Sequence, residues 1–381
     1  MRIIADENIP CVAKAFASLG DVTLLPGRGM SPAQVRDADI LLVRSVTRVD
    51  ADLLGGAQVK FVGSATIGFD HVDRSYLQQQ GIGFSTAPGS NATSAAEYVV
   101  SALLVLAAQQ GFDPAGRTVG IIGCGNVGSR VRQKLSALGM NCLVNDPPLQ
   151  VQGGHEAFVD LDTVLQADVI TLHVPYTREG PWPTHHLFDA AFLARLQPGA
   201  IFINTARGAV ADNLALDRLL ENRSDLSVVL DVWEGEPDIR MSLLEKVRLG
   251  TPHIAGYSLD GKLRGTEMIY RAACAHFGRP VQWQAADDLP AGLSLDLRGL
   301  QAAPLLAQLQ AAVFACYDIR RDDASLRELL ALSAPERPAR FDRLRKEYPV
   351  RREFPQARIT TGDPDGELAS TLSGLGFCVA G

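Results

Sequence analysis

A chain of 381 residues is too long for one hydrophobic core, so two or three domains are expected. Hydrophobic content of 46% with 21% charged residues describes a soluble globular protein. A net charge of −7 argues against nucleic acid as a partner and leaves small anions open, since these need only local positive charge.

Cys11, Cys124, Cys142, Cys274, Cys316 and Cys378 are scattered without metal-ligand spacing. They read as reduced thiols of a cytoplasmic protein, and no metal is expected. Met1-Arg-Ile-Ile-Ala-Asp6 reads as a strand and not as a signal peptide. The longest uncharged apolar run, from Tyr98 to Ala108, is short of a bilayer span, so no membrane partner is expected.

In chain order, apolar runs at 2–5, 22–25, 40–43, 60–63 and 83–85 alternate with helical patterns, the first near 12–19. Several βα units in under a hundred residues make a small parallel sheet. Its strand ends are polar: Asp6-Glu7-Asn8, Arg44-Ser45 and Ser64-Ala-Thr66-Ile-Gly68. Open parallel sheets bind ligands at the carboxyl ends of their strands. Turn chemistry accounts for Asn8 and Asp70 equally well. Arg44 follows Leu-Leu-Val directly, at the mouth of the sheet, and turn chemistry does not account for it. Residues 91–110 form one long, nearly all-apolar helix, capped by Asn91 or Thr93 and suited to a seam between domains.

The stretch Thr118-Val-Gly-Ile-Ile122 then runs into Gly123-x-Gly125-x-x-Gly128, and a helical pattern follows at once. A strand, a glycine turn and a helix start make a pyrophosphate site. Gly123 permits the turn, Gly125 admits the dinucleotide to the backbone, and Gly128 lets helix and strand pack closely. The amides of Asn126 and Val127 face the anion. A second strand ends in Asp146, eighteen residues past Gly128, where a carboxylate accepts from the adenosine ribose hydroxyls. No Arg follows it, so NAD is expected over NADP.

From 118 to 256 the alternation is regular, with strands near 119–122, 142–145, 168–174, 200–205, 227–232 and 253–254, one doubly wound domain. The glycine loop, Asp146, Val174-Pro175, Ala206-Arg207-Gly208, Asp231 with Glu236, and His253 follow these strands. All therefore fall on one sheet edge. Beyond about 281, helices near 300–316, 322–332 and 336–347 precede a β-α-β tail at 357–380. Cys316-Tyr317 reads as core there, and Arg343, Arg345, Lys346, Arg351 and Arg352 read as a solvated face. A small appended α/β unit suits subunit pairing, so a homodimer is expected.

His253 stands at the site edge, whereas His71, His155, His185, His186 and His276 fall in loops or helices and His173 inside a strand. A carboxylate partner fixes a histidine's tautomer and favours imidazolium, which suits a group that takes a hydroxyl proton as hydride leaves the same carbon. Glu236, in a Gly-Glu-Pro turn, is better aimed than Glu234. Arg207 can meet a carboxylate with its planar fork, a structural ion pair being the alternative.

Gly63-Ser-Ala-Thr-Ile-Gly-Phe-Asp-His-Val-Asp73, the glycine loop, Arg207-Gly208, Asp231-Val-Trp-Glu-Gly-Glu-Pro237 and Thr251-Pro-His-Ile-Ala-Gly256 together resemble the D-2-hydroxyacid dehydrogenase family over roughly residues 1–277. Asp6-Glu-Asn-Ile-Pro10, Val43-Arg-Ser-Val-Thr47, Asp146-Pro-Pro148, Gly256-Tyr-Ser-Leu-Asp-Gly-Lys262 and the extra C-terminal domain resemble a branch acting on a phosphorylated sugar acid. The resemblance implies two doubly wound, Rossmann- and flavodoxin-like parallel-sheet domains plus a small C-terminal α/β dimerisation domain. Residues 1–92, completed by about 258–282, would form a substrate-binding lid. Residues 93–257 would bind NAD, and 283–381 would pair subunits. It further implies C2 oxidation with NAD taking the hydride, His253 as proton acceptor, Glu236 as its partner and Arg207 as carboxylate anchor. Ser45, Thr66 and Tyr257 map onto substrate contacts. Asp146, Val174, Ala206, Arg207, Gly208, Asp231 and Gly256 map onto the cofactor site, Val174 through its backbone only. Two cationic strand ends, Arg44 and Arg207, match a substrate with two anionic ends, and domain closure would expel water before hydride moves. Another enzyme of the family, such as 3-phosphoglycerate dehydrogenase, or an NAD-sensing binding protein on the same fold, are the alternatives.

Overall fold

The structure, a computed structural model, describes residues 1–153 and 157–380; His155 lies outside the described residues. Two compact units are present, Met1–Asn91 with Ser258–Ala291, and Ala92–Tyr257 with Gly292–Gly381.

The first unit is built on five parallel strands, β1 (Arg2–Asp6), β2 (Asp21–Leu25), β3 (Ile40–Val43), β4 (Phe61–Ser64) and β5 (Gly83–Ser85), in the order β2-β1-β3-β4-β5. That is the flavodoxin-like doubly wound order. Every residue of β3 and β4 is buried, because helices cover both faces of such a sheet. The Leu259–His276 helix returns to this unit and lays Leu263, Ile269 and Tyr270 on Ile3, Ile40 and Phe61. Ser258 starts it by accepting the Gly261 amide at 2.9 Å, which satisfies an otherwise unpaired helical N–H.

The second unit holds β6 (Thr118–Ile122), β7 (Asn141–Asn145), β8 (Val169–Leu172), β9 (Ile201–Asn204), β10 (Ser227–Leu230) and β11 (Leu249–Gly250), all parallel, in the order β11-β10-β9-β8-β6-β7. The order reverses between β6 and β8, and the crevice at such a switch point takes the ligand. The Ala92–Gln110 helix is long and apolar enough to cross a membrane, but every residue from 94 to 107 is buried, against Val119, Ile121, Val131 and Leu135 among others. Three parallel strands, β12 (Ser294–Asp296), β13 (Arg358–Thr360) and β14 (Cys378–Ala380), form the C-terminal sheet. The Glu367–Leu375 helix beside it puts Leu372 and Leu375 into the same core as Leu103 and Leu135. That shared core is why residues 292–381 fall in one compact unit with the six-stranded fold.

Four local expectations are corrected. The last strand of the large sheet is Leu249–Gly250, not 253–254. β12 was not anticipated. The helix expected to start at Asp322 or Asp323 begins at Ile319, where Asp318 accepts the Arg320 amide at 3.1 Å. The arginine-rich stretch is not one solvated face: Arg343 and Lys346 are exposed, Arg345 and Arg352 are half-buried, and Arg351 is only 4% exposed.

Candidate active site

The glycine loop has the shape its sequence demands. Gly123 has φ +87°, a left-handed conformation that glycine adopts without strain. A Cβ on Gly128 would lie 1.9 Å from the Gly123 carbonyl oxygen, so only glycine lets the Asn126–Ala137 helix start this close to β6. A Cβ on Gly125 would meet nothing within 4 Å. The open side of the loop is therefore at Gly125, at the helix N-terminus, where amide dipoles favour an anion. Asp146, after β7, accepts the Cys124 amide at 2.7 Å through Oδ2 and the Leu149 amide at 3.0 Å through Oδ1. The carboxylate is thus locked to the glycine loop, with lone pairs left for ribose hydroxyls. Val174, after β8, packs against Gly123: a Cβ there would lie 2.9 Å from Val174 Cγ1. His173 beside it bridges Thr171 (2.9 Å) and Thr205 (3.1 Å), and burial pushes it down to about 3, so it stays neutral and structural.

After β9, Asn204 is fully buried and clamps the next turn: its amide group donates to the Arg207 carbonyl at 3.0 Å and its Oδ1 accepts from Ala206 N–H at 3.0 Å. Gly208 allows this turn to lie against the chain at Trp233, since a Cβ would come within 2.0 Å of the Trp233 carbonyl carbon. The Arg207 Nη1 donates to the Ala206 carbonyl at 2.8 Å, which holds the guanidinium at the strand end.

After β10, Asp231 is 1% exposed. Its Oδ1 accepts the Thr251 hydroxyl and the Ile254 amide, both at 2.7 Å, and its Oδ2 accepts the Ala255 amide at 3.0 Å. Burial pushes this carboxyl up, against those bonds and the charge of His253. The Asp231 carboxylate holds the 251–255 loop in place.

His253 sits on that loop with φ +56°, donating its amide to the Asp231 carbonyl at 2.7 Å. Its Nδ1 is 2.8 Å from Glu236 Oε2, and Glu236 Oε1 accepts the Trp233 amide at 2.8 Å. Burial works to raise the Glu236 carboxyl, yet the charge and hydrogen bond of His253 outweigh it, and the group is held below its ordinary value. Glu234 is occupied elsewhere, by His186 Nε2 at 2.8 Å and the Asn213 amide at 2.9 Å. Glu236 thus pairs with His253, and Glu234 with His186. His186, Asp212 and Glu234 bring ligand atoms within 4.8 Å of one another. The two carboxylates cap backbone amides of the 213–219 helix, a structural explanation for the cluster. Gly256 and Tyr257 complete the loop, the Tyr257 amide donating to the Ile254 carbonyl at 2.8 Å. Against Tyr257 stands a residue read as surface: Arg345, its guanidinium carbon 5.8 Å from the ring centre.

In the first unit the strand-end residues form their own set. Arg44 Nε donates to the fully buried Asp6 at 3.1 Å, Ser45 is exposed, and Thr66 shares a 2.8 Å hydrogen bond with Ser64. Arg44 therefore has a structural partner on one edge of its guanidinium.

The second unit brings Gly123 to Gly128, Asp146, Val174, Ala206 to Gly208, Glu236, His253, Gly256 and Tyr257 to the carboxyl edge of one sheet. Residues 93–255 match the family model described as D-isomer specific 2-hydroxyacid dehydrogenase, NAD binding domain. Residues 295–376 match a domain of unknown function, DUF3410. Along 100% of its length the chain is 47% identical to an erythronate-4-phosphate dehydrogenase of Chromohalobacter salexigens, covering 99% of that protein. It is 50% identical to that of Ectopseudomonas mendocina over 99% of both chains. The solved TT0316 protein of Thermus thermophilus superposes with a TM-score of 0.62 at 26% identity, covering 74% of this chain and 98% of its own. The chain belongs to the D-isomer specific 2-hydroxyacid dehydrogenases and, within them, to the erythronate-4-phosphate dehydrogenase family.

Proposed function

We propose that this enzyme oxidises the C2 hydroxyl of 4-phospho-D-erythronate to (R)-3-hydroxy-2-oxo-4-phosphooxybutanoate, a step of pyridoxal 5′-phosphate biosynthesis, with NAD as cofactor. Full-length similarity supports the substrate. The observation that carries the chemistry is the 2.8 Å His253–Glu236 pair on the edge that also bears the glycine loop.

NAD fits the residues present: the open backbone at Gly125, the helix start at Asn126 and Val127, and the Asp146 carboxylate. Bound there, it supplies the hydride acceptor. Glu236 holds Nδ1 of His253, so Nε2 takes the hydroxyl proton as the C2–H bond breaks. Arg207 anchors the substrate carboxylate and keeps C2 oriented. One hydride and one proton leave C2–OH, giving the 2-oxo acid, NADH and a proton released from His253.

Arg44, Ser45 and Thr66 are proposed substrate contacts on the strength of the family resemblance, with Arg44 meeting the phosphate. Arg44→Lys is the variant that tests this, because alanine would also strip buried Asp6 of its partner. It should raise KM for the phosphorylated acid about tenfold or more, as loss of a fork-shaped contact does; an unchanged KM ends the idea. The activity itself is tested by NADH formation across phosphorylated and plain 2-hydroxy acids. A preference for 3-phosphoglycerate, or binding of NADH without turnover of any acid, would overturn it. We also propose a cytoplasmic homodimer paired through residues 283–381. Leu293 and Leu300, both 38% exposed beside β12, suit a covered surface. A monomer by light scattering would rule that out.

A further inference from the structure

Arg345 lies near the end of the Arg337–Lys346 helix, in the segment that β12 to β14 belong to. Its guanidinium sits 5.8 Å from the centre of the Tyr257 ring, and the Tyr348 ring meets that same ring edge-on at 5.7 Å and 87°. Tyr257 closes the turn that starts at Ile254, one residue after His253, and such a turn keeps its ends within about 7 Å. The C-terminal segment thus delivers a cation to the turn that directly follows His253.

That cation is incompletely satisfied. The Nε of Arg345 is buried and donates to no acceptor among the described residues. Native proteins leave few buried donors in that condition, because each costs free energy that a hydrogen bond would recover. The carboxylates that bear on Arg345 are already committed. Glu236 is engaged by His253 and the Trp233 amide, and Asp231 by Thr251, Ile254 and Ala255. Burial works against the guanidinium charge, and Tyr257, Glu236 and Asp231 more than offset it. Beyond its side-chain hydrogen bond to Tyr257, the guanidinium keeps one idle donor and has no ion-pair partner among the described residues.

We propose that Arg345 is a substrate-binding residue that receives the phosphate of the sugar acid, beside Tyr257. This deepens the functional reading above and rests on it. The carboxylate of the same substrate is assigned to Arg207, and its phosphate, proposed above to meet Arg44, has oxygens enough to accept from a second guanidinium. A planar guanidinium binds phosphate oxygens in pairs, which an ammonium cannot do. The position of Arg345 in the chain also fits a specificity role. The Thermus structure uses 98% of its length to match 74% of this chain, so a contact special to this family has its natural source in the added segment.

The test compares kcat/KM for 4-phospho-D-erythronate with kcat/KM for unphosphorylated D-erythronate, in wild type, Arg345→Met and Arg345→Lys. NADH fluorescence titration reports whether each variant keeps its cofactor domain. The preference for the phosphorylated acid should fall about 30-fold or more in Arg345→Met, the factor expected when a buried charged contact is lost. The loss should lie in KM, with partial recovery in Arg345→Lys. If Arg345→Met fails to bind NADH, the lysine variant carries the test, and its preference should fall by about tenfold. An unchanged preference, whatever happens to the absolute rates, would overturn the proposal and leave the functional reading standing. A wild-type enzyme without any preference for the phosphorylated acid would overturn both.

Discussion

Replacing His253 with asparagine lowers kcat for oxidation by about 10²- to 10⁴-fold, the range a positioned general base supplies, while NADH affinity is retained. Asparagine is the right substitute because residue 253 has φ +56°, a left-handed conformation that asparagine tolerates and most side chains do not. The loop therefore keeps its path, and the Asp231 bonds to Thr251, Ile254 and Ala255 keep their geometry. What disappears is the ring nitrogen facing away from Glu236. Glu236 does not replace the histidine, since one oxygen is bound by the Trp233 amide and the group loses the partner that held it low. Stopped-flow or steady-state NADH formation reads the loss of rate, and NADH titration reads the retained affinity. A variant within about tenfold of wild type would remove His253 from the chemistry.

Most of this site was legible because parallel sheets order their own ligands. Strands such as β3, β8 and β9 are buried along their whole length, so they appear as unbroken apolar runs, and whatever follows each run lies on one edge. The glycines were legible for a similar reason: at Gly123 and Gly128 no side chain fits the backbone that the motif requires. His253 was placed on the right edge for a partly wrong reason. Thr-Pro-His-Ile looks extended, yet the strand is Leu249–Gly250 and His253 sits beyond it on a loop shaped by Asp231. A carboxylate twenty residues upstream fixes that loop, and periodicity carries no record of it. The arginines were misread more seriously. Whether a charged side chain is solvated depends on what packs over it, and for Arg351 that is Glu97 and Tyr317, the former 254 residues away in sequence. Glu97 itself stands near the start of the long apolar Ala92–Gln110 helix. It is fully buried.

Truncating Arg351 to methionine destabilises the second unit by about 3–5 kcal/mol, the usual cost of breaking a buried charge network from one side. The guanidinium is stacked 3.6 Å from the centre of Tyr317, donates to the Ser94 carbonyl at 2.7 Å and the Ala255 carbonyl at 3.2 Å, and approaches Glu97 Oε2 at 3.7 Å. Methionine keeps part of the stem and removes all four interactions. Glu97 also accepts the Phe354 amide at 2.7 Å and lies 3.9 Å from Lys134, which in turn donates to the Leu375 carbonyl. The core helix, the glycine-loop helix and the C-terminal segment are therefore tied at one buried carboxyl. Burial pushes that carboxyl up to about 8, against the opposing pull of Lys134 and Arg351. The native protein thus holds a proton between about pH 4.5 and 8 that the unfolded chain releases, so this group stabilises below 4.5 and its contribution is lost as pH rises through 8. Glu97→Gln mimics the protonated form at every pH. Relative to wild type it should gain stability as pH rises across that window, with the acceptor for Phe354 intact. Urea unfolding of the two variants at several pH values measures both claims. An Arg351→Met cost under about 1 kcal/mol, or a Glu97→Gln difference that does not change with pH, would show that the network is not what joins the C-terminal segment to the dinucleotide fold.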